Sequence, residues 1–156
     1  MLEVKFYDSI DDSLFKFAVI ISQSNGKWVF CKHKERDTFE VPGGHREAGE
    51  NILETAKREL QEETGAIKFD IKPVCVYSVT GKTRVNDRGE ESFGGLYFAE
   101  ISEFAKELHS EMEKVVLMDE LPDNWTYPLI QPKLIEKYLQ IERQTYSKIQ
   151  LAQSKL

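Results

Sequence analysis

The amino-acid sequence predicts an α/β domain in which a mixed β-sheet carries helices on both sides, rather than a doubly wound parallel sheet. Three observations point there. Two β-rich runs joined by an Asn-Gly turn come first, a single stretch of helix-forming residues follows them, and further strand-like runs then lead to a closing amphipathic helix.

Residues 15–23 (FKFAVIISQ) and 27–33 (KWVFCKH) are rich in β-branched and aromatic side chains, and the Ser24-Asn25-Gly26 link contains the dipeptide that tight hairpin turns prefer. Residues 38–42 (TFEVP) read as a short strand ended by a Pro42-Gly43-Gly44 turn, because proline cannot continue a ladder and glycine accepts angles that other residues avoid. Residues 51–64 are good helix formers, and Gly65 supplies the usual C-terminal stop. Leu53, Ala56 and Leu60 give this helix an apolar face to set against the sheet.

Residues 67–80 and 92–101 (SFGGLYFAEI) read as two longer strands, and the polar stretch 81–91 (GKTRVNDRGEE) suits a hairpin loop between them. Residues 102–112 are expected as a short helix or loop, 114–118 (KVVLM) as the last strand and 127–148 as a C-terminal helix with Pro132 in its first turn. Leu134, Ile135, Tyr138, Leu139 and Ile141 form the apolar stripe of that helix, and Lys133, Glu136, Lys137 and Glu142 its polar face. One domain over residues 1–149 is expected, with 150–156 as a frayed tail.

The 156 residues suffice for one domain that buries about two-thirds of its unfolded surface, so no disulfide is needed. Cys31 and Cys75, the two cysteines, lie inside apolar strand-like runs and read as buried reduced thiols. The N-terminus MLEVKFYDSI lacks a basic segment followed by an apolar core, and no apolar run approaches the roughly 20 residues that span a bilayer. A soluble cytoplasmic protein without membrane association, monomeric or homodimeric, is expected. A net charge of −6 repels a nucleic-acid backbone, so a phosphate-bearing ligand should be small and bound locally, with cations neutralising it.

The residues that carry chemistry lie between Gly44 and Ala66, GHREAGENILETAKRELQEETGA. At about 100° per residue, Glu59, Glu62 and Glu63 share one helix face within a turn. Three carboxylates that close repel one another and raise each other's pKa, so a positive partner is expected among them. Mg²⁺ prefers carboxylate oxygens and commonly sits between a few carboxylates and substrate phosphates, with Mn²⁺ as a possible substitute. Arg58 lies one turn from Glu54 and Glu62 and can hold a carboxylate in a fixed orientation. Glu50, beside the helix start, suits exposed backbone N–H groups and the positive end of the helix dipole.

An E-x-x-E-E triplet alone is usually a solvated face. Here the whole spacing is G-x5-E-x7-R-E-L-x-E-E-x-G, with Gly44, Glu50, Arg58, Glu59, Glu62, Glu63 and Gly65 at fixed offsets. At about 5–7% per residue type, a chance match at a given start has a frequency of roughly 10⁻⁸ to 10⁻⁹. The stretch resembles the signature box of the Nudix hydrolases. Ala66 departs mildly, standing where that family usually has a larger aliphatic residue.

The resemblance implies a Nudix-type α/β/α sandwich and an enzyme that cleaves a nucleoside diphosphate linked to another group, usually through attack of water on phosphorus. It also implies that Glu59, Glu62 and Glu63 ligate the metal, with the carbonyl of Gly44 as a further ligand, and that Arg58 orients the glutamates. Gly43 and Gly44 would give the loop its tight turn and close approach to the metal.

The general base is either a box glutamate or an acid outside the box. Glu107, Glu111 and Glu113 cluster before the last strand; Glu113 and then Glu111 are the favoured candidates, and His109 a weaker one, against the alternative of a solvated loop. Tyr77 and Tyr97 are candidates for stacking on a base, together with Phe93, Trp125 and Tyr127, although aromatics in strands are more often core. Lys34 and Arg36, with Lys32 and His33, could meet a phosphate tail; a solvated turn is the competing reading. A nucleoside triphosphate, oxidised or not, is the leading substrate class. An RNA 5′ end, a nucleotide sugar or ADP-ribose, and a non-catalytic nucleotide-binding regulator are the alternatives.

Overall fold

A computed structural model describes residues 2–83, 87–106 and 112–155, except the side chains of Met112 and Glu113. Its strands are β1 (Glu3–Tyr7), β2 (Phe15–Ser24), β3 (Lys27–His33), β4 (Phe39–Glu40), β5 (Gly43–His45), β6 (Ala66–Thr80), β7 (Ser92–Phe104) and β8 (Met112–Met118). The α-helices among the described residues are α1 (Ile52–Thr64) and α2 (Gln131–Ser154).

The sheet runs β1-β6-β7-β2-β3-β4, with β5 bonded to β2 and β8 to β3. It is mixed, since β2 and β7 pair in parallel while the other pairings are antiparallel. Period-2 alternation sends successive strand residues to opposite faces. Ala18, Ile20, Val29, Tyr97 and Ala99 pack with Ile52, Ala56 and Leu60 of α1. Ile21, Phe30, Leu96 and Phe98 pack with Leu134, Ile135 and Tyr138 of α2, the Phe98 and Tyr138 rings stacked at 4.6 Å. Each fully buried aliphatic contributes roughly 1.5–3 kcal/mol, which anchors both helices. The α/β/α sandwich with a mixed sheet is therefore observed.

The first hairpin turns at Asn25 (φ 52°) and Gly26 (φ 76°), and two positive values are what the right-handed twist of paired strands demands of a two-residue link. Several elements differ from expectation. Strand β1 is an addition; Val4 and Phe6 alternate with Glu3 and Lys5, and their apolar side packs in the α2 layer. Leu53 is 38% exposed, and Ile52 and Thr55 take the buried face of α1 in its place. Residues 102–104 prolong β7. Helix α2 starts at Gln131 rather than 127, with Pro132 in its first turn. Gln131 is buried there, and its Oε1 accepts from the Val41 N–H at 2.9 Å, tying α2 to the link between β4 and β5. The helix runs on to Ser154 through the residues expected as a frayed tail, because lysine, glutamine, leucine and alanine sustain a helix without packing.

A polar tie joins β1 to the β6–β7 hairpin: the hydroxyls of Tyr7 and Ser78 donate to Glu91 Oε2 at 2.7 and 2.6 Å. These bonds, Ser78 first, hold the Glu91 carboxyl below its ordinary value of 4.5. A depressed folded-state pKa adds stability that is complete above the unfolded value and is lost as pH falls through the folded one. Glu91→Gln should therefore lower the melting temperature near neutral pH, and the gap from wild type should narrow below about pH 4.5. Melting curves of both proteins between neutrality and acid pH check this.

Candidate active site

Helix α1 is fixed at both ends by its own sequence. The Asn51 side chain accepts from the Glu54 N–H at 2.8 Å while Glu54 Oε1 accepts from the Asn51 N–H at 3.0 Å, a reciprocal capping box. Gly65 ends the helix at φ 74°, its N–H donating to the Gln61 carbonyl at 2.9 Å. Glu54 is thus engaged in the cap rather than with Arg58.

The cap also corrects the expectation for Glu50, since Asn51 holds the position that satisfies the helix N–H groups. Glu50 faces the other way. Its carboxylate accepts from the Glu47 N–H and Thr55 hydroxyl, both at 2.9 Å, and from Arg58 Nε at 2.6 Å and Nη2 at 3.1 Å. The guanidinium, helped by the Glu47 N–H, holds the Glu50 carboxyl at about 2.

Arg58 in turn spreads over the site. Nη1 donates to Glu59 Oε1 at 2.8 Å and to Glu62 Oε2 at 3.4 Å, and Nη2 donates to the His45 carbonyl at 2.9 Å. One planar fork thus joins Glu50, Glu59, Glu62 and the backbone of β5. The side chain of Glu59 is 12% exposed and that of Glu62 53%. Burial pushes the Glu59 carboxyl above its ordinary value, with Arg58 opposing.

The expected Pro42-Gly43-Gly44 turn is instead the entry to β5, which pairs with β2 through Val19↔Gly43, Ala18↔Gly44 and Phe17↔His45. Neither glycine has positive φ; both are required by close approach. A Cβ on Gly43 would lie 2.7 Å from the Ala18 carbonyl oxygen and 2.9 Å from Val19 Cγ2, and one on Gly44 would strike the Glu59 carboxylate. The Gly43 N–H donates to Glu63 Oε1 at 2.7 Å. Strand β5 therefore lies directly along the acidic face of α1.

The two glycines should fail differently. Gly43→Ala meets rigid backbone, so it should destabilise the protein by about 1–3 kcal/mol. Gly44→Ala meets the end of a side chain that can turn aside, so it should cost less stability than Gly43→Ala while displacing Glu59 from Arg58 and lowering turnover. Thermal melts and initial rates of the two variants separate these outcomes.

Other candidates are distributed unevenly. Tyr77 (2% exposed) packs on Phe17 in the α2-side core, and Tyr97 (6%) lies in the α1-side core, so neither offers an open ring face to a base. Lys34 is exposed on the turn after β3. Arg36 Nη1 lies 3.5 Å from Glu40 Oε1. Glu107, His109 and Glu111 fall outside the described residues, as does the side chain of Glu113, whose backbone belongs to β8.

Glu40 is a buried acid that sequence reasoning missed. It pairs across the ladder with Cys31, whose Sγ–H donates to the Glu63 carbonyl at 3.4 Å, so Glu40 shares the α1 side of the sheet. Its signal is a lone charge alternating with Phe39 and Val41 in an otherwise apolar strand.

Glu59, Glu62, Glu63 and the Gly44 backbone supply only hard oxygen donors, a set that suits a divalent cation of the magnesium type. Among the described residues no group of three His, Cys, Asp or Glu side chains is arranged to hold a metal ion, because Glu59 and Glu62 turn to Arg58 and Glu63 to the Gly43 N–H.

The family model described as a NUDIX domain matches residues 14–138. A Bacillus subtilis (strain 168) protein named as a candidate 8-oxo-dGTP diphosphatase, YtkD, is 36% identical over 121 residues, covering 74% of this chain and 72% of that protein. Among solved structures, a single-substitution mutant of the Bacillus subtilis pyrophosphohydrolase BsRppH aligns with a TM-score of 0.71 and 28% identity, covering 89% of this chain and 90% of that one. A UDP-X diphosphatase aligns with a TM-score of 0.68 at 18% identity, over 88% of this chain and 66% of that one, a likeness of fold.

Proposed function

This chain belongs to the Nudix family, and from that premise we propose that it hydrolyses a nucleoside triphosphate, an oxidised purine triphosphate such as 8-oxo-dGTP first, with Mg²⁺ as cofactor and Mn²⁺ as a substitute. The reaction class is hydrolysis of a phosphorus-containing acid anhydride. The observation that carries the reading is the placement of β5 against α1, with Gly44 beside Glu59 and Gly43 bonded to Glu63.

Glu59, Glu62, Glu63 and the Gly44 carbonyl would hold the cation, which when bound neutralises phosphate charge and polarises the P–O bond to be broken. Arg58 keeps Glu59 and Glu62 aimed while Glu50 anchors the guanidinium from behind. The attacking water gives its proton to a carboxylate as its oxygen joins phosphorus, and the anhydride oxygen leaves with the bonding pair. That carboxylate is a box glutamate or, outside the box, Glu113 or Glu111. Arg36, held near Glu40, and Lys34 are the cations proposed for the phosphate tail.

The YtkD likeness supports a free nucleotide, and the net charge of −6 disfavours a long RNA. Among the described residues no helix is long and apolar enough to cross a membrane, and two free cysteines suit the reducing cytoplasm, where we place the enzyme. A panel of 8-oxo-dGTP, unmodified triphosphates, ADP-ribose, a UDP-sugar and a 5′-triphosphate RNA, incubated with Mg²⁺, tests the assignment. Preferential release of pyrophosphate from 8-oxo-dGTP is expected; turnover confined to another member reassigns the substrate, and none at all points to a binding protein.

A further inference from the structure

The loop between β5 and α1 carries Glu50, yet its residues are mostly polar and exposed, so little apolar contact holds it to the body. A broad open concavity is lined by Phe15 and Lys16 of β2 together with Glu47, Gly49 and Glu54. Arg46 lines it too and bonds to both elements. Its backbone N–H donates to the Lys16 carbonyl at 2.8 Å, Nε to the Glu50 carbonyl at 2.7 Å, and Nη1 to the Asp12 carbonyl at 2.9 Å and more weakly to that of Phe15 at 3.5 Å. Nη2 reaches the Asp12 carboxylate at 3.1 Å. One guanidinium thus ties a 3-10 turn at Asp12–Leu14 and the start of β2 to the residue whose carboxylate holds Arg58.

We propose that Arg46 is a positioning residue, which sets the place of Glu50 and, through Arg58, the aim of Glu59. The backbone contacts carry the tie, since a solvent-facing pair such as Arg46–Asp12 contributes little by itself. Gly49, at φ 84°, and the Glu50 N–H to Glu47 carbonyl bond shape the loop locally, but neither reaches the body. Lysine could keep the charge and one carbonyl, not the fork that serves Glu50 and Asp12 together. The effect on turnover rests on the hydrolase reading above; the effect on the loop does not.

Arg46→Ala and Arg46→Lys test it by hydrogen exchange of the metal-free proteins, Mn²⁺ titration by calorimetry, and rates on whichever panel substrate the wild type turns over. Arg46→Ala should speed exchange over residues 45–51 while leaving α2 at its wild-type rate, and should weaken Mn²⁺ binding and kcat/KM about 10-fold or more. Arg46→Lys should recover part of each. Wild-type exchange in 45–51 overturns the proposal, and so does a loosened loop with wild-type Mn²⁺ affinity and rate. A wild-type protein that binds no Mn²⁺ sinks the metal assignment instead, and the exchange comparison still decides the tie.

Discussion

Glu62→Gln should lower kcat by roughly a hundred-fold or more while leaving the melting temperature essentially unchanged. The magnitude follows from the proposed role: partners behind metal ligands typically cost about 10–100-fold when lost, and a direct ligand should reach at least the top of that range. The unchanged stability follows from position. Glu62 is 53% exposed, its contact to Arg58 is long at 3.4 Å, and glutamine keeps its shape. Removing one of three neighbouring negative charges even relieves repulsion in the free protein. A rate within a few-fold of wild type at saturating Mg²⁺ would remove Glu62 from the machinery.

Arg58→Ala should damage both stability and turnover. It frees a largely buried Glu59 and strips Glu50 of the guanidinium that does most to hold its carboxyl at about 2, so partly desolvated acids face one another without a cation between them. Turnover should fall about 10–100-fold through loss of aim, on top of a lowered melting temperature. Arg58→Lys should restore little of the activity, because a single ammonium cannot reach Glu50, Glu59 and the His45 carbonyl from one plane. Full rescue by lysine would mean that charge alone matters there and that the fork geometry is irrelevant.

What can be read in advance is local. The Asn25-Gly26 turn, the Gly65 stop and the shared face of Glu59, Glu62 and Glu63 follow from backbone preference and helical period, which neighbours in sequence decide. The turn expected at Gly43 and Gly44 is misplaced because glycine signals either unusual angles or close approach, and only the packing of β5 between β2 and α1 tells which. Tyr77 and Tyr97 illustrate the same limit: alternation assigns a face, not whether a helix covers it. Glu50 loses its expected place to its neighbour Asn51, a competition that a register shift of one residue settles. Arg46 shows nothing in sequence because its acceptors are backbone carbonyls 31 and 34 residues away as well as Glu50 close by.

The dependence of turnover on a divalent cation bears most directly on the whole account. With a panel substrate at saturation, a chelator should abolish hydrolysis, Mg²⁺ should restore it, and Mn²⁺ should substitute. Hydrolysis that continues undiminished in the chelator would contradict the role given to the acidic face of α1.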